Sequence, residues 1–239
     1  MIIGINGYAG SGKDTIGKLI QIATSPKIPD GYDLEELITF YHTQHEWWLE
    51  EESGWEIKKW AGKLKTIASL LTGIPVQKFE DQEFKKTNLG PEWASLKMRP
   101  GKRQDGIFPK KQDMDLVPMT VRDFLQKLGT DGLRTGLHEN TWVNAIMADY
   151  EGVYDIDTDR TTWPNWIITD TRFPNEAQAI KNAGGIVIRV DRPGYKPIND
   201  HPSETGLDNW NFDHKIMNGS DLTSLLFSVG NILRKENLL

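Results

Sequence analysis

The sequence predicts a three-layer α/β fold: a five-stranded parallel sheet with helices on both faces. Three observations predict it. An apolar run at the amino terminus leads through a glycine-rich stretch into helical periodicity. The last third of the chain alternates short apolar runs with amphipathic helices. The candidate strands are separated by helical segments, the pattern of crossover connections between parallel neighbours. At 239 residues, one domain spanning 1–239 with an excursion is expected rather than two equal domains.

The elements follow in order. "MIIGIN", Met1 to Asn6, reads as a buried strand, and Ile16, Leu19, Ile20 and Ala23 follow helical spacing after it. Leu34, Leu37, Ile38 and Tyr41 begin a second amphipathic helix running on to Trp48, and "WEIKKWA", Trp55 to Ala61, reads as a short strand. Leu64, Ile67, Ala68 and Leu71 mark a helix stopped by Gly73 and Pro75. Residues 97–118 carry Pro, Gly and mixed charge without apolar period, so a loop or flexible excursion is expected there. Thr120 stands three residues before Asp123, a capping-box spacing, ahead of the stripe Val121, Phe124, Leu125 and Leu128. Trp142, Val143, Ile146, Met147 and Tyr150 make the next helix, and the polar stretch 151–163 leads into "WIITD", Trp166 to Asp170. A helix over Ala177, Ile180 and Ala183 is broken at Gly184 and Gly185, and "IVIRV", Ile186 to Val190, is a strand. "FDHKIMN" reads as an edge strand, and Leu222, Leu225, Leu226, Val229 and Leu233 form the closing helix.

Composition excludes several classes. The chain is 38% hydrophobic and 26% charged, which is ordinary globular usage. A net charge of −6 argues against a nucleic-acid partner while allowing a local basic pocket for small anions. With no cysteine there are no disulfides and no thiolate metal sites. No apolar run has membrane-spanning length and no leader is legible, so neither a membrane partner nor export is expected. Most of the nine tryptophans read as core or pocket walls.

"GYAGSGKDT", Gly7 to Thr15, carries the first chemistry. Gly7-x-x-x-x-Gly12-Lys13 stands between a strand and a helix, the context of a glycine-rich phosphate loop. Glycines such as Gly7, Gly10 and Gly12 let successive backbone N–H groups converge on phosphate oxygens, with Ser11 among them. The following helix adds unpaired N–H groups and a positive dipole end, and Lys13 a mobile point charge for β- and γ-phosphates. The motif departs from the common pattern at Asp14, where a hydroxyl usually touches Mg²⁺. Asp14 either holds the metal through water or serves as a favourable first-turn carboxylate. Thr15, one residue later, is within reach of an α-phosphate.

The second signature is Asp170, at the carboxyl end of a strand where ligands of open α/β sheets gather, with Arg172 two residues on. Asp170 suits a water-mediated metal anchor, and Arg172 suits a bidentate phosphate clamp. The plainer alternative is a structural Asp170–Arg172 salt bridge. A phosphate monoester acceptor needs no strong general base, because it is already anionic at neutral pH. It needs cations that bring two polyanions together in line. Lys65, Arg122, Arg134 and Arg172 are the candidates. Arg122 and Gln126 share a helix face, and Leu128 to Asp131, with Gly129, Thr130 and Asp131, suits a base or sugar. Gln126 either reads a base edge or is an exposed amide; Trp142 either stacks on a base or sits in the core.

The spacing GxxGxGKxT resembles adenylate kinase and its relatives, within the P-loop NTPase fold. "GYAGSGKDT", "LQKLGTD", "NTWVNAI", "IITDTRFPNEA", "GGIVIRVDRP" and "HPSETGL", in that order, resemble the bacteriophage deoxynucleoside monophosphate kinases. The likeness covers the phosphate loop and nearly everything from residue 120 onward, and neither 24–54 nor 97–118. It implies a nucleoside monophosphate kinase-like fold, with a helical acceptor-binding region over about 32–150 and a lid. It implies transfer of the ATP γ-phosphate to a deoxynucleoside monophosphate with Mg²⁺, in the host cytoplasm for a phage-encoded protein. It leaves a homodimer open. By position, Gly7 to Thr15 would cradle ATP. Lys13, Asp170 and Arg172 would sit at the transfer site, with Asp14 and Asp170 toward the metal. Arg122, Gln126 and Asp131 would line the acceptor side, and His201, Ser203 and Glu204 lie near the adenosine half without assigned roles.

Two other classes compete. "SGKD" with "DTR" also resembles animal phosphomevalonate kinase, which likewise phosphorylates a phosphate monoester. A P-loop ATPase switch acting on a macromolecule would need a partner's arginine finger, and the acidic balance counts against it. Lys97, Arg99, Lys102, Arg103, Lys110 and Lys111 read either as a basic lid over bound nucleotides or as a solvated insertion.

Overall fold

The computed structural model describes residues 1–26, 36, 46–99, 114–197 and 202–239. In chain order the elements begin with β1 (Ile2–Asn6), α1 (Lys13–Thr24), α2 (Glu46–Ser53) and β2 (Trp55–Lys58). Next come α3 (Gly62–Thr72), short 3₁₀ turns at Val76–Glu80, Phe84–Lys86 and Pro91–Trp93, β3 (Ser95–Met98) and β4 (Met114–Val117). Then follow α4 (Val121–Gln126), continued as a π-helix over Lys127–Thr135, α5 (Thr141–Met147), β5 (Val153–Asp155) and β6 (Arg160–Thr162). The chain closes with β7 (Asn165–Ile168), α6 (Pro174–Asn182), β8 (Ile186–Asp191), α7 (Pro202–Thr205), β9 (His214–Met217) and α8 (Leu222–Lys235). Contacts divide it into two units: Met1–Trp60 with Val143–Leu239, and Ala61–Trp142.

The first unit holds a five-stranded sheet in the order β2-β7-β1-β8-β9, parallel throughout. All five expected strands are present. Their residues alternate between two apolar layers because successive side chains point to opposite faces. Ile3, Ile5, Ile167, Ile186, Ile188 and Val190 pack with Ile16, Leu19 and Ile20 of α1 and with Leu225, Val229 and Leu233 of α8. Ile2, Trp166, Ile168 and Val187 pack on the other face with Ala177 and Ile180 of α6 and Ile146 of α5. Both faces are covered, so the strands are apolar on both sides.

The second unit has its own core of Ala68, Phe79, Leu89, Val121 and Phe124, with Trp93 set edge-on to Phe124 at 4.9 Å. The capping box forms as expected. Thr120 Oγ1 accepts from Asp123 N at 3.1 Å, and Asp123 Oδ2 accepts from Thr120 N at 3.4 Å. At α3 the buried positions are Lys65 and Ala68, whereas Leu71, expected on the buried stripe, is 53% exposed. Gly73 ends that helix in the left-handed region, as expected.

Two further expectations need amendment. The ends of the 97–118 excursion are ordered as an antiparallel ribbon, with Lys97 opposite Asp115 and Met98 opposite Met114. Lys102, Arg103, Lys110 and Lys111 lie outside the described residues, as do Leu34, Leu37, Ile38, Tyr41 and His201. The polar stretch 151–163 contains the β5–β6 hairpin, with its turn residue Asp159 at φ 52° and accepting from Tyr154 Oη at 2.6 Å. Its strands carry no apolar alternation to announce them. Among the described residues no helix is long and apolar enough to cross a membrane.

Ile3 lies on the central strand, pairs on both sides and is fully buried. Ile3→Ala should therefore destabilise the protein by about 2–5 kcal/mol, read as a lowered urea midpoint at unchanged slope.

Candidate phosphoryl-transfer site

The site of the first unit lies where the carboxyl ends of β2, β7, β1 and β8 converge. After β1 the chain turns through Gly7 to Gly12 and enters α1 at Lys13. Gly12 caps the helix at φ 94°, and a Cβ there would strike the Asn218 amide, so glycine is required twice over. The loop is braced from outside. Asn218 Nδ2 donates to Ser11 O at 2.8 Å and Arg192 Nη1 to Gly10 O at 3.1 Å, with the Arg192 guanidinium 4.7 Å from the Tyr195 ring. A trans peptide points its N–H opposite its C=O, so the bond to Ser11 O turns the Gly12 N–H away from Asn218. Tyr8 is held beneath by Arg189, whose guanidinium lies 4.4 Å from its ring, and its hydroxyl donates to Asp208 Oδ1 at 3.0 Å. Arg189 Nη1 also donates to Asn6 Oδ1 at 2.6 Å.

Lys13 is 9% exposed, and its Nζ donates to Gly7 O at 2.7 Å and Tyr8 O at 2.8 Å. Burial first and the Arg172 charge second lower its pKa to about 8, against the pull of Asp14, Glu204 and Asp170. These couplings place Arg172 and Asp170 in electrostatic reach of the loop lysine.

Asp14 stands on the first turn of α1. Its Oδ1 accepts from the buried Thr169 hydroxyl at 2.7 Å and lies 3.4 Å from Lys59 Nζ. Desolvation pushes its carboxyl up, but the Lys59 charge, the Thr169 bond and Lys13 outweigh it and hold the pKa below the usual value. Thr15 is half-buried on the same turn. Asp170 Oδ1 accepts from Trp60 N at 2.7 Å, joining the ends of β7 and β2. Arg172 Nη1 donates to Glu204 Oε1 at 3.0 Å, and the peptide N–H groups of Arg172 and Phe173 donate to the buried Glu176 Oε2 at 2.8 and 3.1 Å. Ser11 Oγ and Glu204 Oε2 are buried without a hydrogen-bond partner.

The second unit collects the other candidates. Lys65 is 8% exposed and paired with Glu80; Arg122 Nη2 donates to Gln82 Oε1 at 3.3 Å. Past Gln126 the helix widens, with Gly136 N donating to Asp131 O and His138 N to Leu133 O, each at 3.0 Å across five residues. Four residues overshoot one α turn but undershoot a π turn of about 4.4 residues, so the two drifts oppose each other. Arg122, Gln126, Thr130 and Arg134 therefore share one narrow column and are all half-buried, while Asp131 beside them is exposed. Trp142 is 5% exposed, and its Nε1 donates to Gly129 O at 2.9 Å. A Cβ at Gly129 would meet Leu64 Cδ2 at 2.9 Å, so the leucine tip would have to shift. The Trp142 ring thus supports the π segment from within the unit.

The sequence reading did not single out Lys59, Thr169, Glu176, Arg189, Arg192 or Asn218. Thr169 and Lys59 had one available signal, their position at strand ends next to Asp170 and Trp60.

A parallel sheet in this order, with a glycine loop and lysine after its central strand, defines a P-loop phosphotransferase of the nucleoside monophosphate kinase type. The family model "Deoxynucleotide monophosphate kinase" matches residues 97–229, more than half of the chain, and the protein belongs to that family. It is 25% identical over 248 residues to the deoxynucleoside-5′-monophosphate kinase of Escherichia phage T5, covering 92% of this chain and 90% of that one. It is 32% identical over 115 residues to the deoxynucleotide monophosphate kinase of Enterobacteria phage T4, covering 48% of this chain and 46% of that one. A putative deoxynucleotide monophosphate kinase of Acanthamoeba polyphaga mimivirus is 32% identical over 111 residues, 46% of this chain and 53% of that one.

Two outcomes are expected here. A polyphosphate favours charged Lys13, so metal-free ADP should bind with proton uptake at about pH 9 and none below about pH 7. Affinity should fall as pH rises through 8, and calorimetry in buffers of different ionisation enthalpy reads both effects; constant affinity to pH 9.5 would refute the assignment. Trp142→Phe should cost about 1–3 kcal/mol by leaving the Gly129 carbonyl one bond short, measured by denaturation.

Proposed function

We propose that the protein transfers the γ-phosphoryl group of ATP to the 5′-phosphate of a deoxynucleoside monophosphate, giving ADP and a deoxynucleoside diphosphate. The observation that carries this reading is the glycine loop and buried Lys13 after the central strand, with Asp170 and Arg172 just past the end of its neighbour β7. A donor loop, a second cation and a metal-type carboxylate are what in-line transfer between two phosphates requires.

In this reading the loop from Gly7 to Thr15 holds the donor phosphates by backbone N–H groups, with Lys13 on the transferring end. The buried, unpartnered Ser11 Oγ fits a phosphate acceptor. Arg172 neutralises charge that builds on the phosphoryl oxygens, with Glu204 and Glu176 fixing its direction and its loop. The donors near Lys13 also fit Mg²⁺. Asp14 and Asp170 are carboxylates, Thr169 is a hydroxyl, and no described group of three His, Asp or Glu would form an all-protein cage. Asp14 and Asp170 would hold a magnesium ion there, and it would supply positive charge to offset the phosphates. In the second unit, the column of Arg122, Gln126, Thr130 and Arg134, with Lys65 and Asp131, would take the acceptor, and Trp142 would keep its backbone in place.

The acceptor dianion attacks phosphorus directly, so no side chain need remove a proton. Incubation with ATP, Mg²⁺ and each deoxynucleoside monophosphate should give the matching diphosphate. Lys13→Ala and Arg172→Ala should each lower kcat by about a hundredfold or more. ADP release no faster with any acceptor than without would sink the reading.

A further inference from the structure

We propose that Lys59 is the resident counter-ion of Asp14, and that it lets the glycine loop accept nucleotide phosphates although a carboxylate stands beside Lys13. The proposal rests on the reading that this loop holds the donor phosphates.

A carboxylate on the first turn of α1 presents negative charge to an incoming polyphosphate. A hydroxyl there would not. Lys59 stands just past the end of β2, and its Nζ lies 3.4 Å from Asp14 Oδ1. Its backbone is clamped on both sides. Lys58 O accepts from Thr169 N at 3.4 Å, and Trp60 N donates to Asp170 Oδ1 at 2.7 Å, while the buried Trp60 Nε1 donates to Thr171 Oγ1 at 3.3 Å. The strand end is thus fixed, and the flexible lysine stem alone spans to the loop. Thr169 and Lys59 both approach Oδ1 of Asp14, and Oδ2 takes neither bond. The pair is also solvent-accessible, with side chains 33% and 65% exposed, so it contributes little to the fold and exchanges easily. Such a pair is placed to be given up when another cation reaches the carboxylate.

The test is a binding cycle with ADP, which reads the loop without turnover. Dissociation constants are measured by calorimetry in EDTA and in excess Mg²⁺ for the parent protein, Lys59→Met, Asp14→Asn and the double variant. In EDTA, Lys59→Met should weaken ADP binding by about tenfold, because Asp14 then opposes the phosphates unscreened. Asp14→Asn in the double variant should restore it to within about threefold of the parent. In Mg²⁺ the loss from Lys59→Met should shrink to less than about threefold, since the divalent ion takes over the neutralisation. An equal loss in both media without rescue would mean that Lys59 grips phosphate directly, and the proposal would be overturned. No loss in either medium would overturn it as well. Thermal melts report folding; should Lys59→Met fail to fold, Asp14→Asn alone must tighten metal-free ADP binding, and unchanged or weaker binding sinks the proposal. A parent protein that binds no ADP in either medium removes the loop reading and this proposal together, whereas binding with additive losses removes this proposal alone.

Discussion

Lys13, Lys59 and Arg172 crowd the carboxyl edge of the sheet with Asp14, Asp170 and Glu204, and each charge is tolerable there because an opposite one faces it. Removing a charge from water costs several kcal/mol unless a partner and hydrogen bonds offset it. The pairing Arg172–Glu204 and the peptide donor on Asp170 supply that offset, while the more exposed Lys59–Asp14 pair balances charge at little cost. Burial holds the Lys13 pKa below its ordinary value, against the pull of Asp14, Glu204 and Asp170. The balance is near neutral, so in the proposed reading an arriving polyanion would meet cations that are already gathered and need only change partners. That is electrostatic preorganisation achieved by internal salt bridges rather than by a bare basic pocket. It also explains how a chain of net charge −6 serves polyanionic substrates.

The sheet makes this crowding possible. In a parallel sheet every strand delivers its carboxyl end to the same edge, so residues remote in sequence become neighbours without long loops. Thr169 and Asp14 are 155 residues apart and share a hydrogen bond; Asp170 and Trp60 are 110 apart and share another. The two apolar layers beneath are rigid enough to hold these positions. Arg189 and Asn218 extend the same logic to β8 and β9, bracing the loop from the side opposite Lys59's strand.

What was legible in the sequence follows from where information is local. Strands with both faces buried announce themselves as apolar runs, which is why "MIIGIN", "WIITD" and "IVIRV" were readable, and even the short edge strand at His214–Met217. The glycine loop and the capping box at Thr120 are local patterns with one geometric solution. The β5–β6 and β3–β4 ribbons were not legible, because polar two-stranded ladders have no apolar face to impose a period. Lys59 and Glu176 escaped notice, and Glu204 was named without a role, because a counter-ion is defined by a partner elsewhere in the chain. Leu71 was misplaced because the second unit buries the Lys65 and Ala68 side of α3 instead.

The π segment escaped for a different reason. Whether a helix closes its bonds over four residues or five depends on what pins its carbonyls, and the pin here is an indole thirteen residues away. Its consequence is geometric. In an unbroken α-helix Arg122, Gln126, Thr130 and Arg134 would drift by about 40° at each step, carrying Arg134 about a third of a turn away from Arg122. Widening the helix after Gln126 reverses the drift and returns Thr130 and Arg134 to the side of Arg122. Two cations, an amide and a hydroxyl then stand in one line, the donor types that a nucleoside monophosphate's phosphate and base would meet. A widened helix carries poorer bonding than an α-helix, and it persists where neighbouring groups over-determine it. Gly129 against Leu64, with Trp142 on its carbonyl, is that over-determination, so the packing of one glycine sets the alignment of four polar side chains.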